Sequence, residues 1–461
     1  MQIYNTMTRK KEELVPMQEG QISMYVCGPT VYDFIHIGNA RPLIVFDTMR
    51  RYLESRGYKV TYVQNFTDID DKLIRRANAE NTTVPALAER FIKEYYTDAD
   101  SLGIMRSTVN PRATEHIDDI IDLVKTLIDK GHAYPVENGD VYFSVRSYPG
   151  YGKLKGQDIN DMENGVRIDP SDIKHDPLDF ALWKGAKPGE PSWPSPWGEG
   201  RPGWHIECSA MSMHILGPTF DIHGGGQDLI FPHHENEIAQ SEAATGKPFA
   251  HYWMHNGYLN IDNQKMSKSL GNFFRVRDIT KEYDPEALRM FMLGANYRNP
   301  LNFSRELMDQ AVTSLTRLRT AKERLEATPV DNNVATHDLA KTLQGFRDRF
   351  NEAMDDDLNT ADALGVLFDV ARFVNIFASE PKSQSDIDAV KNCYADLSGI
   401  LGLLQKKTAD EFPADAVRLL EERTAARKAK DWAKADAIRA ELKEMGYAVE
   451  DSAQGPKLKK L

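Results

Sequence analysis

The sequence predicts an α/β first half built on a parallel sheet, followed by a helical second half. Residues 22–27 (Ile-Ser-Met-Tyr-Val-Cys) read as a buried strand, and Gly28-Pro29-Thr30 breaks that run into a loop. After His36-Ile37-Gly38-Asn39, apolar residues recur at Leu43, Phe46, Met49, Tyr52 and Leu53, which is helical spacing. A second strand, residues 59–65, follows Gly57. Strand, loop, helix and strand within about 45 residues make a βαβ unit, and right-handed crossover makes its strands parallel. Beyond Asp284 helical periodicity runs almost to the C-terminus, interrupted at residues 329–333, 381–385 and 408–413.

Between the halves, residues 116–130 predict an amphipathic helix that leads into short strands near Asp140 to Val145. Residues 187–203, dense in Pro, Gly and Trp, predict an ordered irregular loop, and the tail from Lys457 is Lys-rich and low in complexity. No internal repeat is present.

A length of 461 residues predicts roughly three or four packed units. Hydrophobic residues at 41% and charged residues at 27% are ordinary globular usage and exclude a disordered or fibrous chain. No apolar run reaches bilayer length, and the N-terminus lacks a signal-peptide pattern, so a cytoplasmic protein with no membrane partner is expected. Three cysteines, Cys27, Cys208 and Cys393, are too few and too far apart for a disulfide framework. A net charge of −12 argues against non-specific binding of nucleic acid, yet residues 401–461 carry a local excess of basic groups.

The first chemical signal is Gly28 through Asn39, GPTVYDFIHIGN. A loop leaving a parallel strand and entering a helix aims N–H groups and the positive helix end at whatever sits above the sheet, which suits phosphate. Gly28, Pro29 and Thr30 open that loop, His36 can donate to a phosphoryl oxygen, and Gly38 admits a flat purine. The second signal is Lys265-Met266-Ser267-Lys268-Ser269, whose lysines and serines can hold a triphosphate and stabilise departing pyrophosphate.

The third is a concentration of histidine: seven of the twelve lie between His205 and His255, beside Cys208 and the run Phe231-Pro-His-His-Glu-Asn-Glu237. A helix starting at Pro232 sets His233 and Glu237 at i and i+4 on one face. With Cys27 and Cys208 these supply four donors suited to zinc, while the spacing alone fits equally a satisfied polar cluster beside a buried cysteine. Near the C-terminus Arg423, Arg427, Lys430 and Lys434 step by four, three and four residues beside Trp432. That pattern is either a helix face for a phosphate backbone, with an aromatic to stack on a base, or a solvated charged face.

The His-Ile-Gly-Asn and Lys-Met-Ser-Lys-Ser elements together resemble the two signatures of the class I aminoacyl-tRNA synthetases, with Asn39 where that family usually shows a second histidine. GWHIECS (203–209), DIHGGGQDL (221–229) and PHHENE (232–237) add a close similarity to the cysteinyl-tRNA synthetase family over nearly the whole chain. The resemblance implies a Rossmann-like parallel-sheet catalytic domain with an inserted α+β connective domain, then an all-α helical bundle and a small C-terminal anticodon-binding domain. It places the catalytic domain at residues 1–115 and 203–230, the insertion at 116–202 and a Lys-Met-Ser-Lys-Ser loop and stem-contact region at 231–307. The bundle, opened by Asp284-Pro-Glu-Ala-Leu-Arg289, falls at 308–404 and the terminal domain at 405–461.

It further implies activation of L-cysteine by ATP carried with Mg²⁺, transfer to the 2′-hydroxyl of the terminal adenosine of tRNA(Cys), and a monomer. One Zn²⁺ on Cys27, Cys208, His233 and Glu237 would take the substrate thiol, and Thr67, Trp204 and His223 would surround the amino acid. Catalytic roles fall to His36, Lys265 and Lys268; ATP contacts add Gly28, Pro29, Thr30, Gly38, Asn39, Met266, Ser267 and Ser269. Two rivals share these residues: a ligase joining activated cysteine to an amino-sugar amine, and a non-catalytic zinc-containing RNA-binding protein.

Overall fold

Four parallel strands organise the catalytic half: β1 (Gln21–Val26), β2 (Lys59–Gln64), β3 (Phe220–Gly226) and β4 (Ala250–Asn256), in the spatial order β4-β3-β1-β2. The computed structural model describes residues 1–159, 173–262, 264–265, 273–331, 333–334, 339–405, 414–429, 431–452 and 455–460. These fall into two units, Met1–Leu403 and Leu404–Leu461.

Helix α1 (Ile37–Ser55) crosses from β1 to β2, as the apolar spacing predicts. The chain then leaves the sheet, returns through α2 (Trp204–Leu216) to place β3 on the other side of β1, and crosses by α3 (Glu235–Thr245) to β4. The fourth strand thus comes from beyond residue 230, where the sequence reading closes the catalytic segment; a parallel neighbour needs a crossover helix, and α3 is it.

In register, Tyr25 and Trp253 flank His223, and this face packs on Cys208 of α2 and Ile238 of α3. The opposite face lies against α1: a Cβ added to Gly224 would fall 2.5 Å from the Phe46 ring. With helices on both faces, ligands have access only beyond the carboxyl ends of the strands, at the β1/β3 position where strand order reverses.

The excursion between β2 and α2 includes the helix Ile117–Asp129 and a four-stranded antiparallel sheet of Ala133–Pro135, Val141–Phe143, Phe180–Gly185 and Gly200–Pro202. The last strand corrects the reading of residues 187–203 as wholly irregular. Its glycine permits close approach to the neighbouring strand, since a Cβ on Gly200 would meet Trp183 Nε1 at 2.2 Å.

Helices Arg305–Glu326, Ala340–Asp355, Thr360–Phe377 and Gln384–Ile400 make the bundle, with Cys393 fully buried in the last, the packed role its setting suggests. Pro285–Leu293, capped by Asp284, ties the bundle to α1 through a buried guanidinium. Arg289 bonds the Asp47 carboxylate, Thr48 Oγ1 at 3.1 Å and the Leu401 carbonyl at 2.6 Å. Burial opposes ionisation of Asp47, but Arg289 and Arg51 hold its carboxyl below the usual range.

In the second unit, helices Ala414–Lys428 and Trp432–Glu444 pack with an antiparallel hairpin, Tyr447–Ser452 and Gly455–Lys460. The hairpin corrects the reading of the Lys-rich tail: Leu458 packs on the small core around Leu419 and Leu442 while lysines flank it.

Arg289→Met is expected to cost about 3 kcal/mol of stability, because it removes one of the two guanidiniums that hold the buried Asp47 carboxylate ionised. Denaturant unfolding checks this, and adding Asp47→Asn should recover part of the loss.

Candidate functional site

A cavity of about 770 Å³ opens beyond the carboxyl ends of the strands, lined by Cys27, Gly28, Pro29, Thr30, His36, Gly38, Asn39, Thr67, Trp204, Cys208 and His233 among others. The strand exits that floor it continue the sheet as paired loops. Gly28 N donates to Asn65 Oδ1 at 2.8 Å, Thr67 N to the Pro29 carbonyl at 3.3 Å, and Val31 N to the Thr67 carbonyl at 3.1 Å. Gly28 is required sterically, since a Cβ there would lie 1.7 Å from the Asn65 carbonyl oxygen.

His36 caps α1. Its Nδ1 accepts from Asn39 N at 3.2 Å, and its own N–H donates to Asn39 Oδ1 at 3.2 Å. The arrangement is a capping box that fixes the imidazole with Nδ1 as acceptor and therefore, when neutral, the proton on Nε2. Asn39 uses only its carbonyl oxygen in the cap, so its amide group is not consumed by it.

Lys265 lies in the short strand Gln264–Lys265, its backbone paired with Asn260. Met266, Ser267, Lys268 and Ser269 lie outside the described residues. The chain that follows them is held at the same helix start: Ile37 N donates to the Phe274 carbonyl at 3.0 Å, and the Phe273 ring meets His36 edge-on at 5.0 Å. The far wall is fixed by Arg41, fully buried, which donates to the carbonyls of Gly257 (2.7 Å), Tyr258 (2.8 Å) and Asn299 (2.6 Å).

At the deep end, Cys27, Cys208, His233 and Glu237 bring one donor atom each within 4.8 Å of all the others. The sulfurs are 3.8 Å apart, Cys27 Sγ is 3.3 Å from Glu237 Oε1, and His233 Nε2 is 3.0 Å from the same oxygen. Two sulfurs on a tetrahedral zinc at about 2.3 Å stand about 3.8 Å apart, so the sulfur pair already has the spacing of such a site. The supporting contacts fit as well. His233 Nδ1 meets His205 Nδ1 at 2.9 Å, and Glu237 Oε2 takes His223 Nε2 at 2.8 Å, leaving His233 Nε2 and Glu237 Oε1 turned toward the cysteines.

The protons are unevenly shared in this cluster. Burial pushes the Cys27 thiol up, whereas hydrogen bonding from Cys27, aided by His233, draws Cys208 down to about 6. Burial disfavours charge on His233, but Glu237 overrides it and lifts the imidazole to about 10. Against its own burial, Glu237 is held well below the usual carboxylate range by His223 and His233.

His223 does not face the cavity. It is fully buried behind Glu237, and its place in mid-strand, between Tyr25 and Trp253, turns it toward α3. Trp204, 42% exposed, stacks on His233 with ring centres 4.5 Å apart, and Thr67 Oγ1 donates to Glu207 Oε2 at 2.9 Å. Glu207, Tyr32, Asp228 and Phe273 escape the sequence reading, although the last three line the cavity; single residues on loop ends and a helix turn carry no periodic signal.

The basic stripe is corrected. Helix Ala414–Lys428 ends before Lys430, which lies outside the described residues, and Asp431 caps a new helix carrying Trp432 and Lys434. Arg423 is only 4% exposed, while Arg427 and Lys434 are exposed, on different helices. The spacing spans a helix break that the Asp431 cap imposes.

A parallel sheet with its cavity at the strand ends, a capped histidine element on the cavity wall and the Lys-Met-Ser-Lys-Ser motif of the sequence are the features of a class I tRNA synthetase. The family description "tRNA synthetases class I (C) catalytic domain" matches residues 13–313, a DALR domain matches 349–405, and "Cysteinyl-tRNA ligase anticodon binding domain" matches 409–456. The chain is 57% identical to the cysteine–tRNA ligase of Caldicellulosiruptor saccharolyticus and 55% identical to that of Clostridioides difficile, each over the full length of both proteins. The chain belongs to the cysteine–tRNA ligase family. Among solved structures, Mycobacterium tuberculosis methionyl-tRNA synthetase bound by methionyl-adenylate shares the fold at a TM-score of 0.58 and 15% identity, covering 83% of this chain and 90% of that one. An Agrobacterium radiobacter LeuRS in a ternary complex gives 0.59 and 11%, covering 85% of each chain.

Gly28→Ala is expected to destabilise the chain by about 1–3 kcal/mol, because the strand exits must part to admit a methyl group. Chemical denaturation measures the loss, and cysteine-dependent activity should fall with it.

Proposed function

We propose that the cavity activates L-cysteine with ATP, forming cysteinyl-adenylate and pyrophosphate, and passes the cysteinyl group to the 2′-hydroxyl of the terminal adenosine of tRNA(Cys). The single observation that carries the cysteine reading is the four-donor cluster at the deep end of the cavity, with two sulfurs 3.8 Å apart. Zn²⁺ fits this donor set in ligand type and spacing, with Cys27, Cys208, His233 and Glu237 as its ligands. When bound, it offers a thiolate an affinity that a serine hydroxyl, with its much higher pKa, cannot match at neutral pH. Hydrogen bonding and shape alone reject a near-isostere only modestly, so the metal supplies selectivity without an editing step.

The chain's own residues do the rest. Metal binding requires His233 to give up the proton that Glu237 otherwise holds on it, and Cys27 to lose its thiol proton. His223 and His205 are positioning residues, fixing Glu237 and His233. Trp204 and Thr67 bound the amino-acid end, and Glu207 fixes the Thr67 hydroxyl. The substrate carboxylate is already ionised and attacks the α-phosphorus in line, so the step asks for alignment and charge stabilisation rather than a general base. His36 Nε2–H faces the phosphate side, Gly38 and Asn39 bound the nucleotide, and Lys268, with Lys265, stabilises the pyrophosphate that leaves ATP, the nucleotide being brought in with Mg²⁺. Arg427, Trp432 and Lys434 are the terminal-unit residues assigned to the tRNA.

An amino-sugar acceptor is set aside because the match to an anticodon-binding description at 409–456 gives the chain a part that such a reaction does not use. We assign the protein to the cytoplasm, as a monomer.

Pyrophosphate exchange should depend on cysteine, with serine at least a thousandfold poorer in kcat/KM, a discrimination of about 4 kcal/mol. Comparable exchange with serine would refute metal-based selection, and no exchange with either would refute the ligase reading. Replacing the support behind the metal ligand, His205→Ala, is expected to weaken zinc binding about 10–100-fold while leaving the ligand count at one metal per cluster. Competition with a chelator measures it.

A further inference from the structure

A second group of metal-type donors lies outside the cavity, where two helix ends meet. His116 and Asp119 stand at the start of the helix Ile117–Asp129, and His214 stands in the last turn of α2. The Asp119 carboxylate lies between the two rings: His116 Nδ1 is 2.8 Å from Oδ2, and His214 Nδ1 is 2.9 Å from Oδ1. The rings meet edge-on with centres 5.1 Å apart, and the three donor atoms lie within 4.8 Å of one another.

Position and composition both bear on what this group binds. Ile117 and Ile120 of one helix and Ile206 and Ala210 of the other sit in one buried core, so the backbones that carry the three donors are locked together. Side chains built on packed helices hold a ligand geometry more sharply than side chains on loops. Two imidazoles and one carboxylate form a borderline-hard set that suits zinc, cobalt and nickel and leaves coordination positions open to water. On a metal with bonds of about 2.0–2.2 Å, the nitrogen-to-oxygen separations would be about 3.3 Å, so each present contact has to open by roughly half an ångström. His214, with 56% of its side chain exposed, gives an ion direct entry from solvent.

We propose that His116, Asp119 and His214 form an accessory site for a divalent transition-metal ion of the zinc class. A bound ion replaces the protons shared between the imidazoles and the carboxylate and joins the first helix of the inserted segment to α2. On α2, His214 lies roughly 9 Å along the axis from Cys208. The ion therefore braces the helix that carries a ligand of the cavity cluster, from a point that touches neither the amino acid nor the nucleotide. This proposal stands on the three residues alone and does not depend on the reading of the cavity.

The test uses the full-length chain, freed of metal by a chelator and titrated with Co²⁺. Cobalt on Cys27 and Cys208 gives an intense sulfur-to-metal band in the near ultraviolet, whereas cobalt on nitrogen and oxygen gives only weak visible bands. The expected result is a second equivalent that adds no sulfur band. His214→Ala and Asp119→Asn, each retaining the sulfur band and cysteine-dependent exchange as signs of an intact fold, should weaken that second equivalent at least tenfold. A wild-type chain that saturates with the sulfur band fully developed and binds no cobalt outside it would overturn the proposal, as would sulfur-free cobalt binding that is equally tight in the His116→Ala, His214→Ala double variant.

Discussion

A carboxylate with no access to water governs the centre of this protein. Glu237 is fully buried and yet ionised, a state that costs several kcal/mol unless charge and hydrogen bonds surround it. His223 from β3 and His233 from the start of α3 supply them, and Cys27 and Cys208 close the ring. This requirement ties four separate elements to one point: β1 through Cys27, β3 through His223, α2 through Cys208 and α3 through Glu237 itself. The sheet order that places β3 beside β1 and the crossovers that put α2 and α3 over one face are what bring those groups together.

The same economy shows at the helix-cap end of the cavity. The His36–Asn39 capping box is at once a helix start and a means of fixing one tautomer of an imidazole that faces the cavity. Arg41, one turn on from the cap, spends its guanidinium on backbone carbonyls and so fixes the opposite wall from the same helix. Arg289 repeats the device for the bundle, joining α1 to the chain around Leu401. Helix α1 is thus fastened at its start and along its body by groups that also shape the site, and on its outer face by the pair that holds the bundle.

Much of this was legible in the residues because it depends on local rules. The apolar run at 22–27, the helical spacing from Leu43 to Leu53 and the i, i+4 pair His233 and Glu237 each follow from short-range periodicity, and the structure contains all three. What stayed hidden depends on distant partners. Nothing near His223 signals that its imidazole belongs to Glu237, because that contact arises from strand alternation combined with a crossover helix whose glutamate comes fourteen residues later. Gly200–Pro202 and Gly455–Lys460 form strands through packing on Trp183 and on a small hydrophobic core, against their own composition. The basic stripe failed for the opposite reason: regular spacing continued across Asp431, where a cap restarts the helix.

The zippered exits of β1 and β2 bear on how this site can change. Gly28 and Asn65 meet backbone against backbone, and Pro29, Thr67 and Val31 prolong the pairing into the cavity floor. The floor is therefore an extension of the sheet, with little capacity to accept insertions or larger residues. Changes in the shape or chemistry of the cavity would have to come from side chains that project into it, such as Trp204, and from the donor set behind it. A scaffold of this kind is a poor starting point for loop grafting and a good one for point substitution.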